Sequence, residues 1–367
     1  MSNCLSICGL YLITKMLSKK YKINKILFFF LAFSYIPIIL LVNLLYGDLV
    51  SLTFAIFSIY FNMKYAENKK IRNIVLSCIT ILIAIALRMN NLIFLIANSI
   101  YLCFNLIDEI KLIISNKKSK KIILRYIAVL LMFVIISLAG TKIFKMNLQN
   151  KYEVDPDKEL PSTRYIAMGM QEGFRANGWY NDTGDLGWKR RVESEEYVSM
   201  IKERIKYFLS DIKYTFRFYE GKIISMWADP LQESIWQNLS FNFNFDEEKI
   251  NTGEIDIDKV NKKDELIISK RNCAQIFLKA WLIIVFGNIL IFLIINRKDI
   301  SNEAMFLLLC FIGGFLFHIL WEGKSRYVIP YIVILIPLAS VQIDFSKKKI
   351  KKICQGNSIS NEKQKSN

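Results

Sequence analysis

Residues 276–296 read IFLKAWLIIVFGNILIFLIIN, and this stretch decides the class of fold. It carries a single charge, Lys279. As a helix it would be roughly 30 Å long, the thickness of a bilayer's hydrocarbon core. The apolar run is continuous rather than alternating. In lipid that pattern means a helix, because a barrel strand would alternate its faces. Working outward, similar runs lie near 3–17, 25–45, 49–66, 71–88, 91–108, 122–144, 303–321 and 327–343. Hydrophobic residues make up 53% of the 367, more than soluble chains of this length usually show. The expectation is an all-α polytopic membrane protein of about nine transmembrane helices.

The loops give an orientation. Lys15, Lys19, Lys20, Lys22 and Lys25 follow the first run, and Lys64, Lys69, Lys70 and Arg72 the third. Lys111, Lys117, Lys118, Lys120, Lys121 and Arg125 follow the fifth, and Arg297 and Lys298 the seventh. Lys347, Lys348, Lys349, Lys351 and Lys352 stand in the tail. Basic clusters thus occupy every second loop, which the positive-inside rule assigns to the cytoplasm. The expected localisation is a bacterial cell membrane, multi-pass, with the N-terminus outside and the C-terminus cytoplasmic. The net charge of +17 is spent on these short loops, so nucleic acid is not expected as a partner. Four segments then share the outer face: Tyr46-Gly47-Asp48, Arg88 to Asn91, the long segment from 145, and Trp321 to Arg326.

Four regions follow: N-terminal helices over 1–144, an extracytoplasmic domain over 145–272, C-terminal helices over 273–345, and a basic tail over 346–367. The extracytoplasmic domain is inserted between helices six and seven and is expected to be mainly helical. Tyr197, Ile201, Ile205, Phe208 and Ile212 recur there at helical spacing, which predicts one or two amphipathic helices over 193–224. The acidic stretch 241–268 lacks periodicity and reads as a loop. The seven cysteines form no CxxC pair and read as small buried hydrophobes. The first apolar stretch lacks a basic flank before it and a small-residue cleavage site after it, so it does not read as a signal peptide.

Chemistry is expected on the outer side. Asp48 stands at the mouth of a helix pair, either as a solvated turn residue or as a metal or acceptor contact at the membrane surface. Arg88 ends the fourth run where bases are usually avoided; it either snorkels or meets a phosphate, with Asn91 in support. Glu322, Lys324 and Arg326 lie between two apolar helices, where ionisable groups are costly and usually paired or functional. His318, the only histidine, reads as packed rather than as a ligand. Arg164, Trp179, Tyr180 and Trp227 either contact substrate or build the outer domain's core. There is no metal-ligand spacing, P-loop, GxSxG or GxGxxG.

PSTRYIAMGM (161–170), GWYN (178–181), KIISMWADP (222–230) and WEGKSRYVIPY (321–331), with YGD at 46–48, resemble bacterial membrane glycosyltransferases of the protein-mannosyltransferase-like (GT-C) superfamily. The resemblance implies transfer of a sugar from a polyprenyl-phosphate-linked donor to a cell-envelope acceptor on the outer face. Membrane lipids surround such an enzyme, and a divalent metal is an open option. By this resemblance Asp48 stands where an acid could serve as base. Arg88, Lys324 and Arg326 match lipid-phosphate contacts, and Tyr46, Asn91, Arg164, Trp179, Tyr180, Trp227, Glu322 and Tyr327 fall to substrate. One departure matters. The family places its catalytic acid in a first outer loop after a cytoplasmic N-terminus, and nothing before Asp48 is acidic. The expectation is therefore a truncated or split form, with an upstream-encoded N-terminal half as partner. The alternatives are a non-catalytic protein that binds lipid-linked glycans or scaffolds an envelope complex and, third, a transporter or flippase.

Overall fold

A computed structural model describes residues 2–41, 47–116, 121–152, 161–173, 176–179, 194–234 and 257–343. The described residues are helical, apart from turns, short 3-10 pieces and two isolated bridges. The helices are α1 (Ser2–Leu17), α2 (Lys25–Ser34), α3 (Ile36–Leu40), α4 (Gly47–Asn68), α5 (Ile71–Leu87), α6 (Leu92–Asn116) and α7 (Lys121–Lys151). They continue with α8 (Ser162–Gly169), α9 (Ser194–Ser210), α10 (Ile212–Trp227), α11 (Ile257–Asn296), α12 (Asn302–Leu320), α13 (Ile329–Val333) and α14 (Ile336–Ala339). Among the described residues, four stretches are long and apolar enough to cross a membrane: Gly47–Asn68, Met89–Lys111, Arg271–Asn296 and Asn302–Leu320. The other apolar stretches, Ser2–Leu17, Lys25–Ser34, Ile71–Leu87 and Ile127–Gly140 within α7, are shorter.

The outward faces are apolar. On α5 the exposed residues are Ile71, Val75, Ile79, Ile83 and Leu87, one stripe at every fourth position. Its opposite face buries Ile74, Cys78, Ile81 and Ile85. Such a stripe would be a liability in water and suits lipid. Cys4, Cys8 and Cys273 also face outward, contrary to the expectation of buried thiols; Cys78 and Cys310 are buried. Small polar residues join the helices inside. Ser58 and Ser77 hydroxyls lie 3.0 Å apart, Ser6 and Thr53 2.8 Å, and Asn62 donates to the Asn98 side chain at 2.8 Å.

Two expected single helices are broken. The run 25–45 splits at Tyr35, because Pro37 removes a donor and disfavours helix before it. Tyr35 is buried there, stacked on Trp281 at 4.5 Å, with its hydroxyl donating to Gln232. The run 327–343 becomes a 3-10 turn (Ser325–Val328), α13 and α14, interrupted by Pro330 and Pro337. Val328, Ile329 and Tyr331 to Ile336 are all buried, so this segment is the centre of the bundle. Irregular backbone is tolerated there because protein, not lipid, surrounds it. At the other edges α7 runs on to Lys151, and α11 starts at Ile257, inside the stretch expected to be a loop.

Helix ends sort into two layers. Ser2 meets Thr53 near the start of α4, whereas Lys19 meets Glu67 near its end, so α1 and α4 run parallel. Lys69 pairs with Glu109, Lys20 with Asp299, and Asn302 with Asp108, all at this same end. Asp48, Arg88 and the 321–327 turn lie at the other end, about 30 Å away along α4. Among the described residues, the basic segments around 19–22, 64–72 and 297–298 thus lie at one end of the bundle.

On that second side α9 and α10 are separate helices. The Asp211 side chain caps α10 by accepting from the Tyr214 amide at 2.9 Å. Arg204 pins the group together: it donates to the Met170 carbonyl at 2.8 Å and lies over the rings of Phe208 and Phe218. Tyr197 and Phe208 are buried as expected, but Ile205 and Ile212 point outward. Arg204, not Ile205, takes the inward position.

Candidate functional site

Asp48 occupies the first turn of α4, where a negative charge suits the helix dipole. Arg88 follows the last residue of α5, and its extended backbone turns the chain into a 3-10 turn over Met89–Asn91. The two side chains form an ion pair across the mouth of α4 and α5, with a second contact from a terminal guanidinium nitrogen at 3.3 Å. Asn91 is buried and donates to the Ala84 carbonyl at 2.8 Å and the Arg88 carbonyl at 3.0 Å. It therefore fixes the turn that carries Arg88 rather than facing a ligand.

The 321–327 turn supplies the other half. Arg88 and Arg326 place their guanidinium carbons 5.2 and 5.6 Å from the Tyr327 ring centre. Lys324 reaches toward Glu322 at 3.9 Å. Glu322 is buried, and burial raises its carboxyl pKa against the opposing pull of Lys324, Arg326, Arg88 and Arg164. Four cations thus face two carboxylates. A cleft of about 20 Å³ opens between Asp48, Arg88, Asn90, Arg326 and Tyr327, room for one water.

Lys222 was not singled out from the sequence, and it holds this turn in place. It is 1% exposed, and its ammonium donates to the carbonyls of Gly169 at 2.6 Å, Ile319 at 2.8 Å and Trp321 at 2.8 Å. Three donors meet three acceptors, which ties α8, α10 and the end of α12 together. Burial pulls its pKa down to about 7, with Glu322 opposing. The available signal was a lysine in register with Phe218 and Met226 on the apolar face of α10.

Gly178 (φ +75°) and Gly323 are joined nearby, with the Gly323 amide donating to the Gly178 carbonyl at 2.7 Å. Only a glycine adopts that φ readily and lets the Lys222 stem pass so close. Trp179 bridges alongside and donates to the Ser225 hydroxyl at 3.0 Å. Arg164 is buried on α8, near enough to act on Glu322. Trp227, read as either a substrate contact or a core residue of the outer domain, packs against Phe311 and Phe315 of α12 at 5.2 and 5.5 Å. Its area is more useful there, because it seats α10 on α12. His318 is 1% exposed, between Tyr327 and Tyr331, with neither ring nitrogen hydrogen-bonded among the described residues. Tyr46, Tyr180 and the tail lysines lie outside the described residues.

Among the described residues no three His, Cys, Asp or Glu side chains are grouped to hold a metal ion. Asp48 is paired with Arg88 in this structure, so it offers no free carboxylate to a divalent cation. No protein-family model, curated protein or solved structure matches the chain.

Proposed function

We propose that this chain is a membrane glycosyltransferase acting on a polyprenyl-phosphate-linked sugar at the membrane face that carries Asp48 and Arg88. The convergence of Arg88 and Arg326 on Tyr327, with Lys324 beside Glu322 in the same turn, supports this reading, because a leaving phosphate needs fixed positive charge. The lysine-rich end lies in the cytoplasm by the positive-inside rule, so the site faces outward. The shorter apolar helices complete the crossings.

In the reaction an acceptor hydroxyl oxygen attacks the anomeric carbon. The bond from that carbon to the phosphate oxygen breaks, and its electron pair leaves with the polyprenyl phosphate. The hydroxyl proton passes to a carboxylate. Asp48 is the candidate base once Arg88 has swung to the phosphate. The Asp48–Arg88 pair also supports a second reading, a non-catalytic protein that binds lipid-linked glycans, since it occupies the only acid at the cleft among the described residues.

The test uses the protein in liposomes with polyprenyl-phosphate-linked sugars and measures transfer. Transfer by the wild type, lost in Arg326→Ala with unchanged membrane insertion, is the expected result. Full activity in that variant overturns the assignment of Arg326. Retention of polyprenyl phosphate with no transfer favours the second reading.

A further inference from the structure

At the lysine-rich end, about 30 Å from Asp48 along α4, lies a larger cavity. Its volume is about 550 Å³, within the usual range for small-molecule sites. Its two sides are fixed by backbone. On one, the Gln342 amide donates to the Lys22 carbonyl at 2.7 Å, and the Asn24 amide to the Ser340 carbonyl at 2.9 Å. On the other, at the end of α11, the Asp299 amide donates to the Asn296 carbonyl at 2.8 Å. Tyr21 joins the two sides: its ring is buried edge-on to Phe292 at 5.1 Å, and its hydroxyl accepts from the Ser301 amide at 2.8 Å.

The lining is mostly polar. Of its eleven residues only Phe292, Ile295, Val341 and Ile343 are apolar. Lys20, Lys22 and Lys298 face one carboxylate, Asp299, which leaves two net positive charges. Asp299 pairs with Lys20 at 2.6 Å, but its side chain is 83% exposed, so the pair is weak and yields to a stronger anion. The ammonium groups of Lys22 and Lys298 have no hydrogen-bond or ion-pair partner among the described residues. The side-chain nitrogen of Asn296 donates to the Phe292 carbonyl at 2.9 Å, which holds that amide in place at the wall. The exposed apolar residues of α11, Ile283, Leu290 and Ile294, lie on the opposite face of the helix from Phe292 and Asn296, so the lipid-facing side does not lead into the cavity.

A carboxylate brings one negative charge, whereas a phosphate monoester brings about 1.5 to 2 at neutral pH, with three acceptor oxygens. Two net charges spread over three ammonium groups match the phosphate. Inorganic phosphate would fill only part of the space, so an organic body accompanies it. We propose that this cavity binds a small water-soluble phosphate monoester, with its phosphate among Lys20, Lys22 and Lys298 and its polar body against Asn296 and Gln342. The phosphate is the chemistry shared with a lipid head group; the polar lining and the opposed apolar face favour the soluble source. The proposal stands whether or not the chain transfers sugar.

The full-length protein in neutral detergent is titrated by calorimetry with glucose 6-phosphate and adenosine 5′-monophosphate, and with glucose, adenosine and glucuronate as controls. At least one of the two phosphate esters is expected to bind, with its unphosphorylated parent and glucuronate weaker by about tenfold or more. The triple variant K20Q/K22Q/K298Q should lose about tenfold or more of that affinity. A control triple at the same end, K70Q/R72Q/K111Q, removes the same charge and should retain most of the binding, and both should match the wild type in size-exclusion profile. Binding of neither ester, equal binding of ester and glucuronate, or an equal loss in both triples overturns the proposal. Displacement of the bound ester by an equal concentration of phosphatidic acid overturns the soluble source and assigns the phosphate to a lipid.

Discussion

Arg88 closes on the carboxylate of Asp48 while its guanidinium lies 5.2 Å from the centre of the Tyr327 ring. One cation is thus shared between an acid and an aromatic face, and the acid is the cheaper contact to give up. The pair's side chains are 28% and 22% exposed, and a pair so close to solvent contributes about 1 kcal/mol or less. Asp48→Asn should therefore raise the affinity for polyprenyl phosphate by about fivefold at most, while lowering transfer. Arg88→Ala should weaken it by about tenfold or more, the scale of a charged hydrogen bond. Binding of polyprenyl phosphate in nanodiscs checks both. Weaker binding in Asp48→Asn would mean that the carboxylate positions Arg88 rather than restrains it.

Much of this arrangement was legible in the residues, and the rest was not for definable reasons. Continuous apolar runs announced the helices. Pro37, Pro330 and Pro337 were visible too, but a run's length outweighed them; only tertiary burial shows why broken backbone is tolerated at 325–339. The cations at 88, 324 and 326 were legible because bases beside apolar helices are expensive. Their geometry was not, because the Asp48–Arg88 pair and the shared Tyr327 ring depend on how α4, α5 and the 321–327 turn meet. Lys222 shows the limit most clearly. Its register on α10 marks it as odd, but nothing local says that three carbonyls from two other segments will surround it. Trp227 and Asn91 had side chains suited to ligands, and packing and capping claimed them instead.

Tyr327 should matter chiefly through its ring, which two guanidinium groups approach, and less through its hydroxyl, which is hydrogen-bonded to Arg326. A cation over a ring contributes about 0.5–1 kcal/mol, more where water is excluded, and this ring serves two. Tyr327→Leu is expected to weaken polyprenyl-phosphate binding by roughly tenfold, and Tyr327→Phe, which loses only the hydrogen bond to Arg326, by less. The same nanodisc titration reads both. A large loss in Tyr327→Phe would point to the hydroxyl as the contact.

Lys222 should make the packing of α8, α10 and the end of α12 depend on pH. An ordinary lysine side chain has a pKa of 10.5, and burial takes this one to about 7. Between those values the unfolded chain holds a proton that the native state has lost, so this residue favours the native state increasingly as pH rises. The slope approaches about 1.4 kcal/mol per pH unit above pH 7. Other groups titrate in the same range, so the useful quantity is the difference between wild type and Lys222→Met. That difference in melting temperature should move in favour of the wild type from pH 6.5 to pH 9. A difference that stays flat would show that the ammonium keeps its proton, held by its three carbonyls.

A pair of glycine substitutions tests the packing of α12 on the central segment. A Cβ on Gly314 would run into the ring of Tyr331, which is buried beneath it. The ring also stacks on Phe94 at 5.5 Å, so it has little room to retreat. Gly314→Ala should therefore cost about 1–3 kcal/mol through overpacking, and more if α13 shifts and takes Tyr327 with it. Gly287 on α11 is the matched control, since its Cβ would meet nothing within 4 Å. Gly287→Ala should be neutral or slightly stabilising, because alanine loses less backbone freedom in a helix. Thermal unfolding in detergent separates the two, and polyprenyl-phosphate binding adds the functional reading. If Gly314→Ala melts like Gly287→Ala but binds weakly, Tyr331 has yielded and the damage has passed to the site. If both properties are unchanged, the close approach of α12 to Tyr331 is not the contact that sets the position of the 321–327 turn.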